Sequence, residues 1–309
     1  MKFPTSLDPA GWFSITSATG TDKRVEKYST NSSNAAGARP FSPSALVRVS
    51  AGLHVGGVAA LALAPRAWPV VVGAVIADHL TMVAAGLWPR GTLLGPTLAR
   101  LSPGARSRRE IALTFDDGPD PATTPAVLDM LDARGARSTF FCVGRRVEAH
   151  RGVAAEIARR GHRVENHSHR HRSAFWFLPP ALLRDEIERA QDAIATATGR
   201  PPRLFRAPAG IRSPLLEPAL ARAGLDLVAW TRRGFDTVSS SAGRVLARLV
   251  RGLAPGDILL LHDGPTAREV SGSPVLLEVL PRLLDAIEAA GLNPVPLEPL
   301  REGERVDEG

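Results

Sequence analysis

Residues 111–119 read Ile-Ala-Leu-Thr-Phe-Asp-Asp-Gly-Pro. Ile111–Phe115 is a short apolar run of strand length, and it stops in two acids and a Gly-Pro turn. Downstream, strand-like and helix-like segments alternate. Pro125–Arg134 has helical apolar spacing and stops at Gly135, Ser138–Val143 is strand-like, and Val153–Arg160 is helical and stops at Gly161. Pro180–Thr198 carries an amphipathic period through Leu183, Ile187, Ala190 and Ile194 and ends at Gly199. Further strands are predicted over Arg203–Arg206, Leu225–Trp230, Ile258–Leu261 and 293–297, with helices near 214–223, 243–252 and 274–290. Such alternation over residues 110–300 predicts an α/β class with a parallel sheet, and the length suits a barrel. In barrels of this kind, chemistry sits where strands end and loops begin.

The chain has 309 residues, 44% of them apolar and 22% charged, so a sizeable core is feasible and whole-chain disorder is excluded. A single cysteine, Cys142, excludes an intramolecular disulfide framework and multi-cysteine metal sites. The net charge of +7 is uneven. Residues 1–109 hold 12 Lys and Arg against 4 Asp and Glu, while residues 110–309 hold 26 against 27. The larger part is therefore neutral, which argues against nucleic-acid binding by the globular domain.

Residues 1–43 read as a polar, disordered lead, Ser/Asn/Ala-rich over 29–38, or else as a mis-assigned translation start. The lead lacks the early apolar run of a secretory signal peptide. Residues 44–101 hold two apolar stretches, about Val49–Ala64 and Trp68–Trp88, joined by Pro65-Arg66-Ala67. Helices of that length approach the roughly 30 Å of a bilayer core, and Trp68 and Trp88 bracket the second where interfacial aromatics belong. The expectation is a membrane-anchoring hairpin. Its alternative is a soluble hairpin packed on the following domain, because Asp78 in mid-membrane is costly unless paired. Arginines at both ends (Arg39, Arg48, Arg90, Arg100, Arg106, Arg108 and Arg109) place those ends on the cytoplasmic side of a bacterial inner membrane, against Arg66 in the turn. Residues 102–109 read as a linker and 301–309 as a charged tail.

Polar residues gather at the predicted strand ends. Asp116 and Asp117 are adjacent carboxylates that point in different directions, although Asp-Asp-Gly-Pro is also a common polar turn. His167 and His171 are four apart, a spacing that puts both imidazoles on one face of a helical turn. Two His and one Asp would leave a metal positions open for water and substrate; a solvated basic loop is the plainer reading. Phe205-Arg206-Ala207-Pro208-Ala209-Gly210, the segment from Trp230 to Asp236, and Ile258–Asp263 each follow a strand, and the last delivers His262 at a strand end.

The order and spacing of these five segments resemble the NodB homology domain of the polysaccharide deacetylases, carbohydrate esterase family four. The resemblance covers about residues 110–300 and implies a distorted (β/α) barrel. It implies that Asp117, His167 and His171 bind a divalent metal ion, usually zinc in this family. Asp116 would be the general base on the attacking water, and His262 the acid that protonates the leaving amine. Arg206 would orient Asp116, and Asp236 would hold Arg206 or the acid histidine. The Ala209 N–H would help hold the oxyanion, while Trp230 and Leu260 line the acetyl pocket. The substrate would be an N-acetylated, or N-formylated, amino sugar of a polymer or lipid-linked sugar. Two departures stand out: the third motif carries alanines at 207 and 209 in place of bulkier or more rigid residues, and Thr237 follows Asp236 where Trp is usual. A wider site suited to a larger or lipid-linked acceptor is the expectation. Other readings are a catalytically silent carbohydrate-binding barrel and a membrane assembly protein working through residues 1–109.

Overall fold

A computed structural model describes residues 37–270 and 272–300. Most of the predicted lead, and the whole of the predicted tail, lie outside the described residues. Residues 37–43 are tied to the body of the protein: the Arg39 guanidinium pairs with Glu217 at 2.6 Å, and its N–H donates to the Ala221 carbonyl.

The hairpin forms as α1 (Ala45–Leu63) and α2 (Trp68–Gly86), joined by a single 3₁₀ turn at Pro65–Ala67. Ser44 caps α1 by accepting from the Val47 N–H, and Pro69 sits in the first turn of α2, where its missing donor costs nothing. Neither helix packs on the barrel along its length. No residue of α1 is buried, and in α2 only Asp78, Ala85 and Gly86 are. Contact with the domain is made at the end of α2, where the Arg212 N–H donates to the Gly86 carbonyl. The 19 residues of each helix span about 28 Å, so both are long and apolar enough to cross a membrane by length and composition. Asp78 is paired across the hairpin, where the Ser50 hydroxyl donates to its Oδ2 at 2.7 Å.

The rest of the chain builds a parallel sheet in the order β5-β4-β3-β2-β1-β7-β6, with β8 also against β1. The strands are β1 (Glu110–Asp116), β2 (Thr139–Cys142), β3 (Arg163–Asn166), β4 (Leu204–Phe205), β5 (Asp226–Leu227), β6 (Arg232–Arg233), β7 (Ile258–His262) and β8 (Asn293–Pro294). Helices α4 (Thr124–Asp132), α5 (Gly144–Ala149), α6 (Arg151–Arg159), α7 (Pro180–Thr198), α8 (Leu216–Ala223), α9 (Ala242–Val250) and α10 (Val275–Ala289) lie between them. The result is a half-barrel of (β/α) type. Strand alternation sorts the side chains: Leu113, Phe115, Leu259 and Leu261 pack outward under the helices, while Ala112 and Ile258 join an inner cluster. That parity sends Thr114 and Asp116 of β1 inward, and Leu260 and His262 of β7 with them.

Several features differ from the sequence reading, the unpredicted two-residue strand β6 among them. The strand Arg163–Asn166 was not predicted, because Val164 is its sole apolar residue. Its buried polar groups are satisfied from afar: Glu165 accepts from the Arg203 and Leu204 N–H groups at 2.7 and 2.8 Å, and the Asn166 amide donates to the Ile187 carbonyl at 3.0 Å. The stretch 94–109, expected as the end of the hairpin region and a linker, belongs to the barrel. Leu98 bridges Val228 in parallel, Leu101 donates to the Gly256 carbonyl, and α3 (Pro103–Ser107) buries Ala105 beside Leu98 and Leu101.

Candidate active site

The expected site residues converge at the C-terminal ends of the strands. The chain reaches this arrangement through unusual backbone. Of the described non-glycine residues with positive φ, Asp117 (71°), Ser168 (61°), His171 (50°), Ala209 (56°) and Phe235 (61°) all lie in the motif segments. L-residues adopt this region at a cost and cluster there where surrounding structure holds them.

At the end of β1, Asp116 and Asp117 diverge as expected. Asp117 turns to the histidine loop, with its Oδ1 3.4 Å from His167 Nε2 and 3.2 Å from His171 Nε2. The two imidazole centroids are 4.8 Å apart. The predicted helical turn is absent: residues 167–172 form an open loop after β3, because Ser168 and His171 take left-handed backbone. Asn166 shapes this loop by accepting from the Ser168 N–H at 2.9 Å, and Ser168 Oγ accepts from the His171 N–H at 3.1 Å.

This trio fits a divalent cation. Asp117 Oδ1 is buried and has no hydrogen-bond partner, an orphan acceptor facing two imidazole nitrogens. His167 Nδ1 lies 2.8 Å from the Arg206 carbonyl, which fixes the ring so that Nε2 faces Asp117. Burial raises the Asp117 carboxyl, but the His167 imidazole beside it, with further charge from His171 and His262, outweighs this and holds the group well below the usual carboxylate range. Neutral imidazoles and an ionised carboxylate are the donor set an open zinc-type site uses.

Asp116 faces Arg206 through Oδ1, while its Oδ2 lies 3.8 Å from His167 Nε2. Arg206, at the end of β4, donates from Nη1 to Asp116 Oδ1 at 2.7 Å and to Thr114 Oγ1 at 2.8 Å, and from Nη2 to the Ala229 carbonyl at 2.9 Å. The guanidinium lies 4.1 Å above the Phe141 ring. Asp236 takes the histidine, not Arg206. Its Oδ1 is 2.8 Å from His262 Nδ1, and its Oδ2 accepts the His262 N–H at 2.8 Å. Burial pulls the His262 imidazole down, but the Asp236 carboxylate, with further charge from Asp116 and Asp117, more than offsets this and holds it above its ordinary value. Strand register sets His262 directly beside Asp116.

Ala209 is exposed on the turn after β4, and Leu260 is buried on β7. Trp230 is half-buried and lies over Gly210; a Cβ at Gly210 would overlap its ring. Sequence reasoning gave no role to Asp263, although the residue sits in the fifth segment. It is fully buried, receives the Thr124 hydroxyl and packs so tightly on Gly118 that a Cβ there would collide with the carboxylate. Burial pushes its carboxyl up to about 7. Thr114 was missed as well; its only signal was a hydroxyl in an otherwise apolar strand.

A family model described as polysaccharide deacetylase matches residues 104–228. The chain is 34% identical over 199 residues to a chitooligosaccharide deacetylase of Bradyrhizobium sp. (strain ANU 289), covering 62% of this chain and 90% of that protein. It is 32% identical over 175 residues to a peptidoglycan-N-acetylglucosamine deacetylase of Bacillus cereus, covering 56% and 81%. Among solved structures, the family 4 carbohydrate esterase from Streptomyces lividans in complex with acetate superposes with a TM-score of 0.54 at 31% identity, over 60% of this chain and 91% of that one. The fold, the converging motif residues and these likenesses agree: the chain belongs to the polysaccharide deacetylase family, hydrolases of carbon–nitrogen bonds other than peptide bonds.

Proposed function

We propose that the protein removes an N-acetyl group from an amino sugar at a membrane surface. The observation that carries the reading is the orphaned, buried Asp117 Oδ1 facing His167 and His171, with the Asp116–Arg206 and His262–Asp236 pairs on the adjoining strand ends. Asp117, His167 and His171 would hold the metal. A divalent cation in this position, zinc by its donor set, supplies Lewis-acid polarisation of the amide carbonyl and a lowered pKa for water.

The chain's own groups do the rest. Asp116 takes the proton of the attacking water, and Arg206 keeps the carboxylate aimed by fixing Oδ1. The Ala209 N–H donates to the oxygen that becomes negative as the carbonyl carbon turns tetrahedral. His262, kept charged by Asp236, gives its proton to the amine nitrogen as the C–N bond breaks, so acetate and a free amino sugar leave. Trp230 and Leu260 bound the acetyl methyl, and the same chemistry accepts a formyl group. Every metal, base and acid position is filled, which disfavours a silent carbohydrate-binding barrel. The hairpin anchors the enzyme in the membrane, and arginines flanking both ends favour a cytoplasmic catalytic domain.

The test is acetate release from N-acetylglucosamine oligomers, peptidoglycan and lipid-linked amino sugars by the full chain in detergent or nanodiscs. Release that stops on chelation and returns with zinc is expected. Undiminished release from thoroughly demetallated protein would overturn the reading.

A further inference from the structure

The hairpin and the site are not independent modules. Arg212, three residues beyond Ala209, donates its N–H to the Gly86 carbonyl at the last turn of α2, at 3.2 Å. Its guanidinium reaches the Thr97 hydroxyl at 2.6 Å and the Gly91 carbonyl. The contact is tight enough that a Cβ on Gly86 would overlap the Arg212 carbonyl, so only glycine allows this approach. Pro89, just past α2, packs where a Gly210 side chain would be, against the same turn that carries Ala209. The third-motif loop is therefore bolted to the end of a helix long and apolar enough to cross a membrane.

An apolar groove of about 140 Å³ opens at this seam. One wall is the last two turns of α2, with Met82, Val83 and Leu87. The second is Trp176 and Phe177, which follow the histidine loop, and the third is Ile211, directly after the Ala209–Gly210 turn. Leu87 and Phe177 are 55% and 70% exposed, and Ile76, Leu80 and Val83 stand exposed on α2 at helical spacing before Leu87, so α2 carries an apolar stripe that ends at the groove. In water such a surface is costly; beside a bilayer it is a path for hydrocarbon.

We propose that the amino sugar arrives on a lipid, with the few tail carbons nearest the headgroup lying in this groove between α2 and the loops that carry His171 and Ala209. This deepens the deacetylase reading and rests on it. The tail leaves the bilayer along α2 and holds the sugar at the mouth of the site. Tethering makes the reaction effectively intramolecular with respect to the membrane. It also gives a reason for the small residues at 207 and 209 and for Thr237, since a headgroup held by its tail needs less grip from the pocket wall.

The experiment uses the full chain in nanodiscs with two substrates that share a headgroup: chitobiose bearing a hexadecyl chain at its reducing end, and free chitobiose. The lipidated substrate should give a kcat/KM at least tenfold higher. Partitioning into the bilayer alone would also favour it, so two groove variants decide the matter. Phe177→Asp, at an exposed position, and Met82→Trp, which fills the groove, should each raise KM for the lipidated substrate at least fivefold and leave free chitobiose turnover unchanged. Overturning results are equal use of both substrates, or a preference that both variants preserve, which is partitioning without a groove. Loss of both activities in parallel would mean a general defect and would also refute the proposal. Acetate from neither substrate would instead remove the deacetylase reading beneath it.

Discussion

Arg206 reaches across the half-barrel to Asp116, with Nη1 2.7 Å from Oδ1, and neither side chain is more than 5% exposed. A buried pair of this kind holds geometry more than it adds net stability, because desolvation of both charges offsets most of their attraction. The guanidinium is also shared with the Thr114 hydroxyl and the Ala229 carbonyl, so the base is positioned by three strands, β1, β4 and β7 through Thr114 and Leu259, and by the segment after β5.

Arg206→Met would leave Asp116 buried without its partner. The expected cost is about 3–5 kcal/mol of stability, read as a lowered unfolding midpoint of the detergent-solubilised chain. Arg206→Lys should also impair turnover, since a single ammonium cannot reproduce the planar fork that spans three acceptors.

The two adjacent aspartates should separate cleanly. Asp117→Ala and His167→Ala should lose bound metal and activity together. Asp116→Asn should retain metal at near-stoichiometric content while acetate release falls about 10²–10⁴-fold, the range of general-base contributions. Metal analysis alongside the assay checks both, and near-normal rates in Asp116→Asn would remove Asp116 as the base.

His262 sits above its ordinary pKa because Asp236 stabilises the imidazolium. A catalytic acid must be protonated, so activity is present below that raised value and is lost as pH rises through it. Asp236→Asn removes the nearest carboxylate that raises the ring, leaving burial opposed only by the charges of Asp116 and Asp117, which favours the neutral ring relative to the parent. The alkaline limb of the kcat/KM profile should then move to lower pH. A limb that stays in place would mean that another group sets it.

Within the hairpin, Ser50 Oγ and Asp78 Oδ2 form a polar contact between two apolar helices. Ser50→Ala should weaken helix association by about 1 kcal/mol, the scale of interhelical hydrogen bonds in membranes. Denaturant titration in mixed micelles measures this. The full chain should remain in the membrane fraction through an alkaline wash.

The elements with a clear period were legible from the chain alone. The helix Pro180–Thr198 forms over the range its apolar spacing predicted, and β1 ends at the two acids. The strand Arg163–Asn166 was not legible, because its buried polar residues resemble surface residues until Arg203, Leu204 and Ile187 arrive to satisfy them. The spacing of His167 and His171 suggested a helix, yet the pair is joined by left-handed backbone that no local propensity favours. Asp263 gave no sign of its burial, because its partner Thr124 is 139 residues away.

The residue order along the chain determined most of the strands, the side chains that stand at their ends and the two long apolar helices that precede them, since these follow from periodicities of 2 and 3.6 in neighbouring residues. Only the folded chain decided that Asp236 serves His262 while Arg206 serves Asp116, that the histidines meet Asp117 from a loop, and that α2 ends against Arg212. Those pairings depend on strand register and on close backbone approach at Gly86 and Gly118, where segments remote in sequence compete for the same few ångströms.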